Sequence, residues 1–138
     1  MRGATRKGAK RAAAGLLGLD LLGAPAAWCL DCSGHWLSRS EAAICDDPRL
    51  LRMEEQVVRR IKANAERLSF GQYLGLLHWH AQQAGERTAC AADRRCIVAS
   101  LRAQMRFLDR LQRCVSTSLG RRACLRNLLA DERRRARR

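Results

Sequence analysis

The chain has 138 residues, of which 47% are hydrophobic and 4% aromatic, and it carries a formal net charge of +14. This length favours a single domain, and a composition with half apolar residues and two prolines argues against a disordered protein. Alanine, leucine and arginine abound, which favours helices. A basic surface favours anionic partners such as nucleic acid, phospholipid headgroups or acidic wall polymers, although it is equally compatible with a solvated, arginine-rich surface.

The N-terminus resembles a secretory signal peptide. Residues 1–11 are basic and free of acids, residues 12–26 are apolar and small, and "APA" at 24–26 fits signal-peptidase cleavage. Asp20 interrupts the apolar part, so an amphipathic or disordered N-terminus of a cytosolic protein is the alternative. The apolar stretch is too short to span a membrane. We therefore expect export to the periplasm or the extracellular space, with no membrane span.

The charge is concentrated at the two ends of the chain. Residues 1–26 carry five basic residues and one acid, and five of the remaining ten net charges belong to "RRRARR" at 133–138. We predict a signal peptide over 1–26, a helical domain over 27–130 and a disordered basic tail over 131–138. A lipid anchor on Cys29 is disfavoured because the bulky Trp28 precedes it.

The number and spacing of the seven cysteines distinguish between metal binding, redox catalysis and disulfide formation. They are Cys29, Cys32, Cys45, Cys90, Cys96, Cys114 and Cys124. Only the first two have zinc-knuckle spacing, without a second knuckle, and His78 and His80 point to different sides of a helix. "CLDC" also lacks the strand–helix context of a thioredoxin-like site. In an exported chain this number of cysteines favours disulfides, with no metal and no cofactor.

Six of the cysteines form three local couples across predicted bends. The proposed pairs are Cys32 with Cys45, Cys90 with Cys96, and Cys114 with Cys124. Each loop of this size stabilises the fold by about 2–3 kcal/mol in the chain-entropy model. Cys29 is left over, and it could be free, pair between chains, or compete with Cys32 for Cys45.

Two helix starts are marked early in the chain. Ser38 and Glu41 form a capping-box pattern that predicts a short helix over 40–45. Asp47 suits the N-cap, and Pro48 the first turn, of a second helix of about twenty residues. Its apolar residues recur at spacings of three and four: Leu50, Met53, Val57, Ile61, Ala65 and Leu68.

Three more helices follow. "SFG" at 69–71 predicts a break, and Tyr73 then opens a helix that ends near Cys90. Its expected apolar side holds Leu74, Leu77, Ala81, Ala84 and Thr88. The next helix begins at Cys96 and carries Ile97, Leu101, Met105, Leu108, Leu111 and Val115. After a turn at Gly120, the last helix carries Cys124, Leu125, Leu128 and Leu129 and ends at the arginine tail.

No segment alternates apolar and polar residues for long, so the sequence predicts no sheet. The expected fold class is all-α: a small antiparallel helical array stapled by local disulfides.

Two sequence blocks carry a family resemblance. "EAAICDDPRLLRME" at 41–54 fits the pattern E-x-x-I-C-x-x-P-x-L-x-x-L-D, with Met53 in place of the second leucine and Glu54 in place of the aspartate. "HWHAQQAGERTACAADRRCI" at 78–97 fits Q-x-x-W-x-x-x-R-x-x-C-x-x-x-x-x-C-L at Arg87, Cys90 and Cys96, with Trp79 one turn before the expected tryptophan position. Over roughly residues 31–110 the chain resembles the LprI-like lysozyme-inhibitor family.

The resemblance implies a small, helical, disulfide-bonded, exported domain. A few members of that family inhibit lysozyme and most have no assigned role, so a lysozyme-type hydrolase is the partner that the resemblance suggests. Common lysozymes are basic, and a basic domain should meet them slowly because like charges repel. The other hypothesis is a basic accessory protein that binds anionic cell-envelope polymers or nucleic acid through its arginines. Nucleic acid is disfavoured, because no aromatic residues interleave with the basic ones and no recognition module is present.

Candidate partner-binding residues are few. His35 and Trp36 sit inside the Cys32–Cys45 loop, where the tryptophan is either a binding anchor or a lid on the core. Trp79 and Arg87 belong to the second block, and "HWH" with Glu86 and Arg87 is the nearest approach to a catalytic constellation. G-x-S-x-G, phosphate-loop and H-E-x-x-H motifs are missing, so we predict no enzyme.

Overall fold

The computed structural model describes residues 30–117 and 121–138. Over these ranges the chain is helical and has no β-strand, which confirms the all-α prediction. The helices are α1 (Arg39–Asp46), α2 (Pro48–Ala65), α3 (Phe70–Arg87), α4 (Arg94–Ser116) and α5 (Arg121–Ala136), with a 3₁₀ turn at Thr88–Cys90. The predicted signal peptide and Cys29 lie outside the described residues. None of the helices that the structure describes combines the length and apolar character needed to cross a membrane.

The first two helices begin at the residues that the sequence indicates. The Ser38 hydroxyl accepts a hydrogen bond from the Glu41 amide at 3.2 Å, and the Glu41 carboxylate accepts one from the Ser38 amide at 2.7 Å. The Asp47 carboxylate accepts from the Arg49 amide at 2.8 Å, and Pro48 occupies the first turn of α2. Both predicted helix starts are therefore confirmed, because these side chains satisfy backbone donors that helix geometry leaves free.

Helix α4 is the centre of the array, since it packs along α2 and also contacts α3 and α5. Its buried apolar residues recur every three or four positions and fill the core: Ile97, Leu101, Phe107, Leu108, Leu111 and Val115. The ring of Phe107 stacks on Trp79 of α3, with ring centroids 4.0 Å apart. This pair is the aromatic centre of a core that otherwise consists mainly of aliphatic side chains.

All three predicted disulfides are present. Cys32 pairs with Cys45, Cys90 with Cys96, and Cys114 with Cys124, at Cα–Cα distances of 5.5, 5.4 and 5.9 Å. These distances lie within the range that a disulfide spans without moving the backbone. The first bond ties the loop 31–37 to α1, the second spans the α3–α4 bend, and the third joins α4 to α5.

Helix α3 differs from its prediction in both start and face. It begins at Phe70, three residues before the predicted Tyr73, because Ser69 and Gln72 form a second capping box. The predicted break between α2 and α3 is present, but it lies at 66–69. The buried face holds Leu76, Trp79 and Arg87, whereas Leu74 of the predicted face is 46% exposed. The predicted face was wrong because α3 packs its largest aromatic residue onto α4, and that rotation turns Leu74 outward.

Two helix ends also differ from the sequence analysis. Helix α2 ends at Ala65, although Leu68 beyond it still packs against the core. Helix α5 runs to Ala136, through most of the predicted disordered tail over 131–138. Glu132 pairs with Arg110 of α4, and so the start of the arginine-rich segment is held against the array.

The bend between Cys90 and Cys96 contains a strained residue. Ala91 has φ 47° and ψ −121°, a backbone conformation that costs a residue with a Cβ atom on the order of 1–3 kcal/mol. Glycine adopts it without a steric penalty. The tight connection that delivers the chain from α3 into α4 therefore carries local strain.

We expect Ala91→Gly to raise the free energy of unfolding by about 1 kcal/mol, since relief of strain exceeds the entropy that glycine adds to the unfolded chain. Ala92→Gly is the matched control, because Ala92 has no positive φ. It should lower stability by about 0.5 kcal/mol. Urea denaturation of the oxidised proteins measures both, and equal destabilisation by the two variants would contradict the assignment of strain to Ala91.

Candidate functional site

A cleft of about 340 Å³ lies where the loop 31–37 meets helices α1, α2 and α3. The loop forms one wall and the rim. Glu41 of α1 and Glu54 of α2 add two carboxylates, and α3 contributes His80 and Arg87. Three helices and a disulfide-anchored loop therefore converge on one concavity.

The loop has its own internal hydrogen bonds. The Asp31 carboxylate accepts from the Ser33 amide at 2.9 Å and from the Ser33 hydroxyl at 2.6 Å. These bonds lower the pKa of Asp31 below its usual value. The Gly34 amide donates to the Asp31 carbonyl at 3.1 Å, and a Cβ on Gly34 would lie 3.1 Å from that oxygen. Together with the Cys32–Cys45 bond, this turn gives the loop a defined shape.

The rim of the cleft presents Trp36, whose side chain is 97% exposed. His35, next to it, is exposed as well. The loop is therefore not a lid that buries its tryptophan in the core, which was one of the two interpretations of the sequence. Because tryptophan is enriched among residues that dominate binding energy, an indole held out on a pre-shaped loop is suited to anchor a partner.

The floor of the cleft is a buried ion pair. The Arg87 guanidinium donates to the Glu54 carboxylate at 2.9 Å, and the two side chains are only 3% and 6% exposed. The pair joins the end of α3 to the middle of α2. The Nε–H group of Arg87 is buried without an acceptor among the described residues. The Nδ1 atom of His80, which also lines the cleft, is likewise buried without a partner, so two polar atoms of the lining are left unsatisfied by the described protein.

His80 lies beside this pair, two helical turns before Arg87 on the same face of α3. Burial lowers the pKa of His80. The Arg87 charge acts in the same direction, whereas Glu54 and Gln104 oppose it. His80 is therefore neutral at pH 7 and adds no positive charge to the cleft.

The structure brings three of the four candidate partner-binding residues together. His35, Trp36 and Arg87 line the same cleft. Trp79 does not, because it is 5% exposed and stacks on Phe107 in the core. The nearest approach to a catalytic set is also dispersed: His78 is exposed, and Glu86 accepts a hydrogen bond from Gln83 at 3.0 Å on the exposed side of α3.

Sequence reasoning missed Glu54 as the partner of Arg87. A signal was available, because Glu54 lies four residues after Leu50 and three before Val57, within the apolar stripe of α2. A charged residue in such a stripe is expected to be paired when it is buried. Neither Glu41 nor Asp31 was predicted to bind a partner, because their place on the cleft depends on the tertiary fold.

Elsewhere, a groove of about 310 Å³ lies between α4 and α5. It is lined by Arg106, Arg110, Arg113 and Arg135, with Asp109 and Glu132 between them. Over the described ranges, no group of three or more histidine, cysteine or acidic residues could hold a metal ion.

Comparisons of the chain with protein-family models, with curated proteins and with solved structures find no match.

The depressed pKa of His80 predicts a loss of stability in mild acid. The unfolded state, in which histidine has a pKa of about 6.5, binds the proton more readily than the folded state. Stability should therefore fall as pH drops below about 6.5, and level off below the folded pKa. His80→Gln should remove this slope in urea titrations at stepped pH.

His78→Gln is the control, since that side chain is exposed and its replacement should leave the slope in place. Asp31 and Asp47 also have lowered pKa values, but the stability they contribute is lost only below about pH 4. A slope between pH 6.5 and 5 that persists in His80→Gln would contradict the assignment.

Proposed function

We propose that this chain is an exported, non-enzymatic binding protein of the LprI-like type, which captures a partner protein with the loop 31–37 and the cleft beneath it. The proposed partner is a lysozyme-type hydrolase. The observation that carries the proposal is Trp36, a large apolar side chain that is 97% exposed on a loop anchored by the Cys32–Cys45 bond. A pre-shaped loop loses less entropy on binding than a flexible one.

Export is supported by the cysteine chemistry. Three disulfides join six cysteines within the described chain. Such bonds persist in oxidising compartments and are rare in the cytosol, where thiols are kept reduced. The proposed location is therefore the periplasm or the extracellular space, which the signal-peptide pattern of residues 1–26 also favours.

The kinship is supported by the way in which the two sequence blocks meet. Glu54 closes the first block and Arg87 belongs to the second, and these residues form the buried ion pair. Cys45 of the first block pairs with Cys32, and the two cysteines of the second block pair with each other. The residues that carry the resemblance thus contact one another across the fold, as expected if they specify it.

A role in binding rather than catalysis is supported by the structural role of each carboxylate of the cleft, although Asp31 and Glu41 keep acceptor capacity for a ligand. Glu54 is paired with Arg87, while Glu41 caps α1 and Asp31 shapes the loop. A general base needs a pKa near the operating pH. Asp31 instead has a lowered pKa, which keeps it ionised.

Trp36→Ala should weaken partner capture about 30-fold or more, as is typical for loss of a tryptophan hot spot. The effect is measured as inhibition of a lysozyme-type hydrolase in a cell-wall lysis assay. Calorimetry gives the dissociation constant of the complex with that hydrolase. The thermal midpoint should not change, because the indole makes little contact with the core.

The matched control is Phe70→Ala, which removes another exposed aromatic side chain. Phe70 lies at the start of α3, whereas Arg87 of the cleft lies at its end. Phe70→Ala should leave capture intact. If both variants bind as well as the parent, or if the parent does not inhibit any lysozyme-type hydrolase tested, the proposed function is wrong.

The second proposal, a basic accessory protein for anionic polymers, rests on the arginines of the α4–α5 groove. Arg106 and Arg113 are exposed on α4, and neither forms an ion pair within 4 Å among the described residues. Replacing both with glutamine should weaken binding to a polyanion such as heparin and reduce its salt dependence. This substitution should not affect lysozyme inhibition, and so the two proposals can be separated in one pair of assays.

A further inference from the structure

The ionised side chains that line the cleft are mostly acidic, whereas those of the domain as a whole are mostly basic. Residues 30–138 hold 22 basic and 12 acidic side chains, an excess of ten positive charges. The cleft lining nevertheless contains three acids, Asp31, Glu41 and Glu54, and only one basic residue, Arg87. His80 is kept neutral by burial. The α4–α5 groove has the opposite balance, with four arginines and two acids.

Two of the three acids are available to a ligand. Glu54 is committed to Arg87, so the pair contributes no net charge. Asp31 and Glu41 form no ion pair within 4 Å among the described residues, and their hydrogen bonds from Ser33 and Ser38 leave carboxylate lone pairs free. They therefore place two carboxylate acceptors on the wall of a concave site.

Two further observations point to a ligand at the same place. Trp36 on the rim presents an almost fully exposed indole, which is the side chain that attracts cations most strongly through its ring face. On the floor, Arg87 is 97% buried and its Nε–H group has no acceptor among the described residues. Buried donors are nearly always satisfied, so this group is left to be satisfied by an acceptor from outside the described protein.

We propose that the cleft receives a lysine or arginine side chain of the partner protein, with the cation between Trp36 and the carboxylates of Asp31 and Glu41. This inference rests on the proposed function and gives the chemistry of the partner's contact residue. A peptide segment around that residue supplies the carbonyl that the Arg87 Nε–H group can meet.

The acidic residues of the cleft allow this basic protein to bind a basic partner. Charges on distant surfaces are screened over about 8 Å at physiological salt, so the local field at the cleft governs the final approach. A basic partner is therefore repelled by α4 and α5 and attracted by the cleft. Charge in this way fixes the orientation of docking as well as its location.

The test uses a small probe in place of the unidentified partner. The oxidised, ¹⁵N-labelled full chain is titrated with N-acetyl-arginine-methylamide up to about 50 mM, and the indole resonance of Trp36 and the amides of 31–41 are followed by NMR. The citrulline analogue has the same shape without the charge, and the glutamate analogue reverses the charge. We expect saturable shifts with the arginine probe and at least fivefold weaker binding of the other two, the effect of about one exposed ion pair.

Asp31→Asn combined with Glu41→Gln should lower affinity for the arginine probe at least fivefold. Both replacements keep the local fold, because asparagine supports the same turn and glutamine the same capping box. Arg106→Gln in the α4–α5 groove is the control and should change nothing.

The inference is overturned if the arginine probe does not bind, or if the arginine and citrulline probes bind equally well. It is also overturned if the glutamate probe binds more tightly than the arginine probe. The lysis assay with Trp36→Ala tests the partner independently. Probe binding without lysozyme inhibition would keep the cation site and reject the hydrolase, whereas inhibition without probe binding would do the reverse.

Discussion

The buried ion pair between Glu54 and Arg87 is the interaction on which the cleft depends. Both charges are almost completely removed from water, so neither side chain can lose its partner without leaving an isolated charge in the interior. Breaking such a pair typically costs about 3–5 kcal/mol. The pair fixes the C-terminal end of α3 against the middle of α2, directly before the bend that the Cys90–Cys96 bond closes. The Glu54–Arg87 ion pair fixes the floor of the cleft, and the Cys32–Cys45 bond fixes the loop that forms its outer wall.

The three disulfides and the ion pair act at different places. Each disulfide lies at a loop or bend, and Cys90 and Cys124 also belong to the buried core. The ion pair lies between two helices, α2 and α3. The bends are thus held covalently and the helix faces by packing and charge. The loop 31–37 can then expose Trp36 without losing its shape, because its fold does not depend on burying that indole.

Much of the fold could be predicted from local patterns, because caps and disulfide spacing act over short stretches of chain. Ser38, Asp47 and the cysteine couples fall in this group. The face of α3 could not, since glycines and small residues leave its apolar periodicity weak, and packing of Trp79 against α4 decides its rotation. The cleft was only partly visible. Trp36 stood out inside its loop, whereas the pairing of Glu54 with Arg87 joins residues 33 positions apart and depends on the tertiary fold.

The central claim is that the Glu54–Arg87 contact, and not each charge separately, holds α2 and α3 in place. A double-mutant cycle tests it most directly, with Glu54→Gln, Arg87→Met and the double variant compared by urea denaturation of the oxidised protein. We predict that each single variant loses about 3 kcal/mol or more and that the double variant recovers about 2 kcal/mol relative to the sum of the two. Losses that add within about 0.5 kcal/mol would show that the two side chains act independently, and would contradict the account.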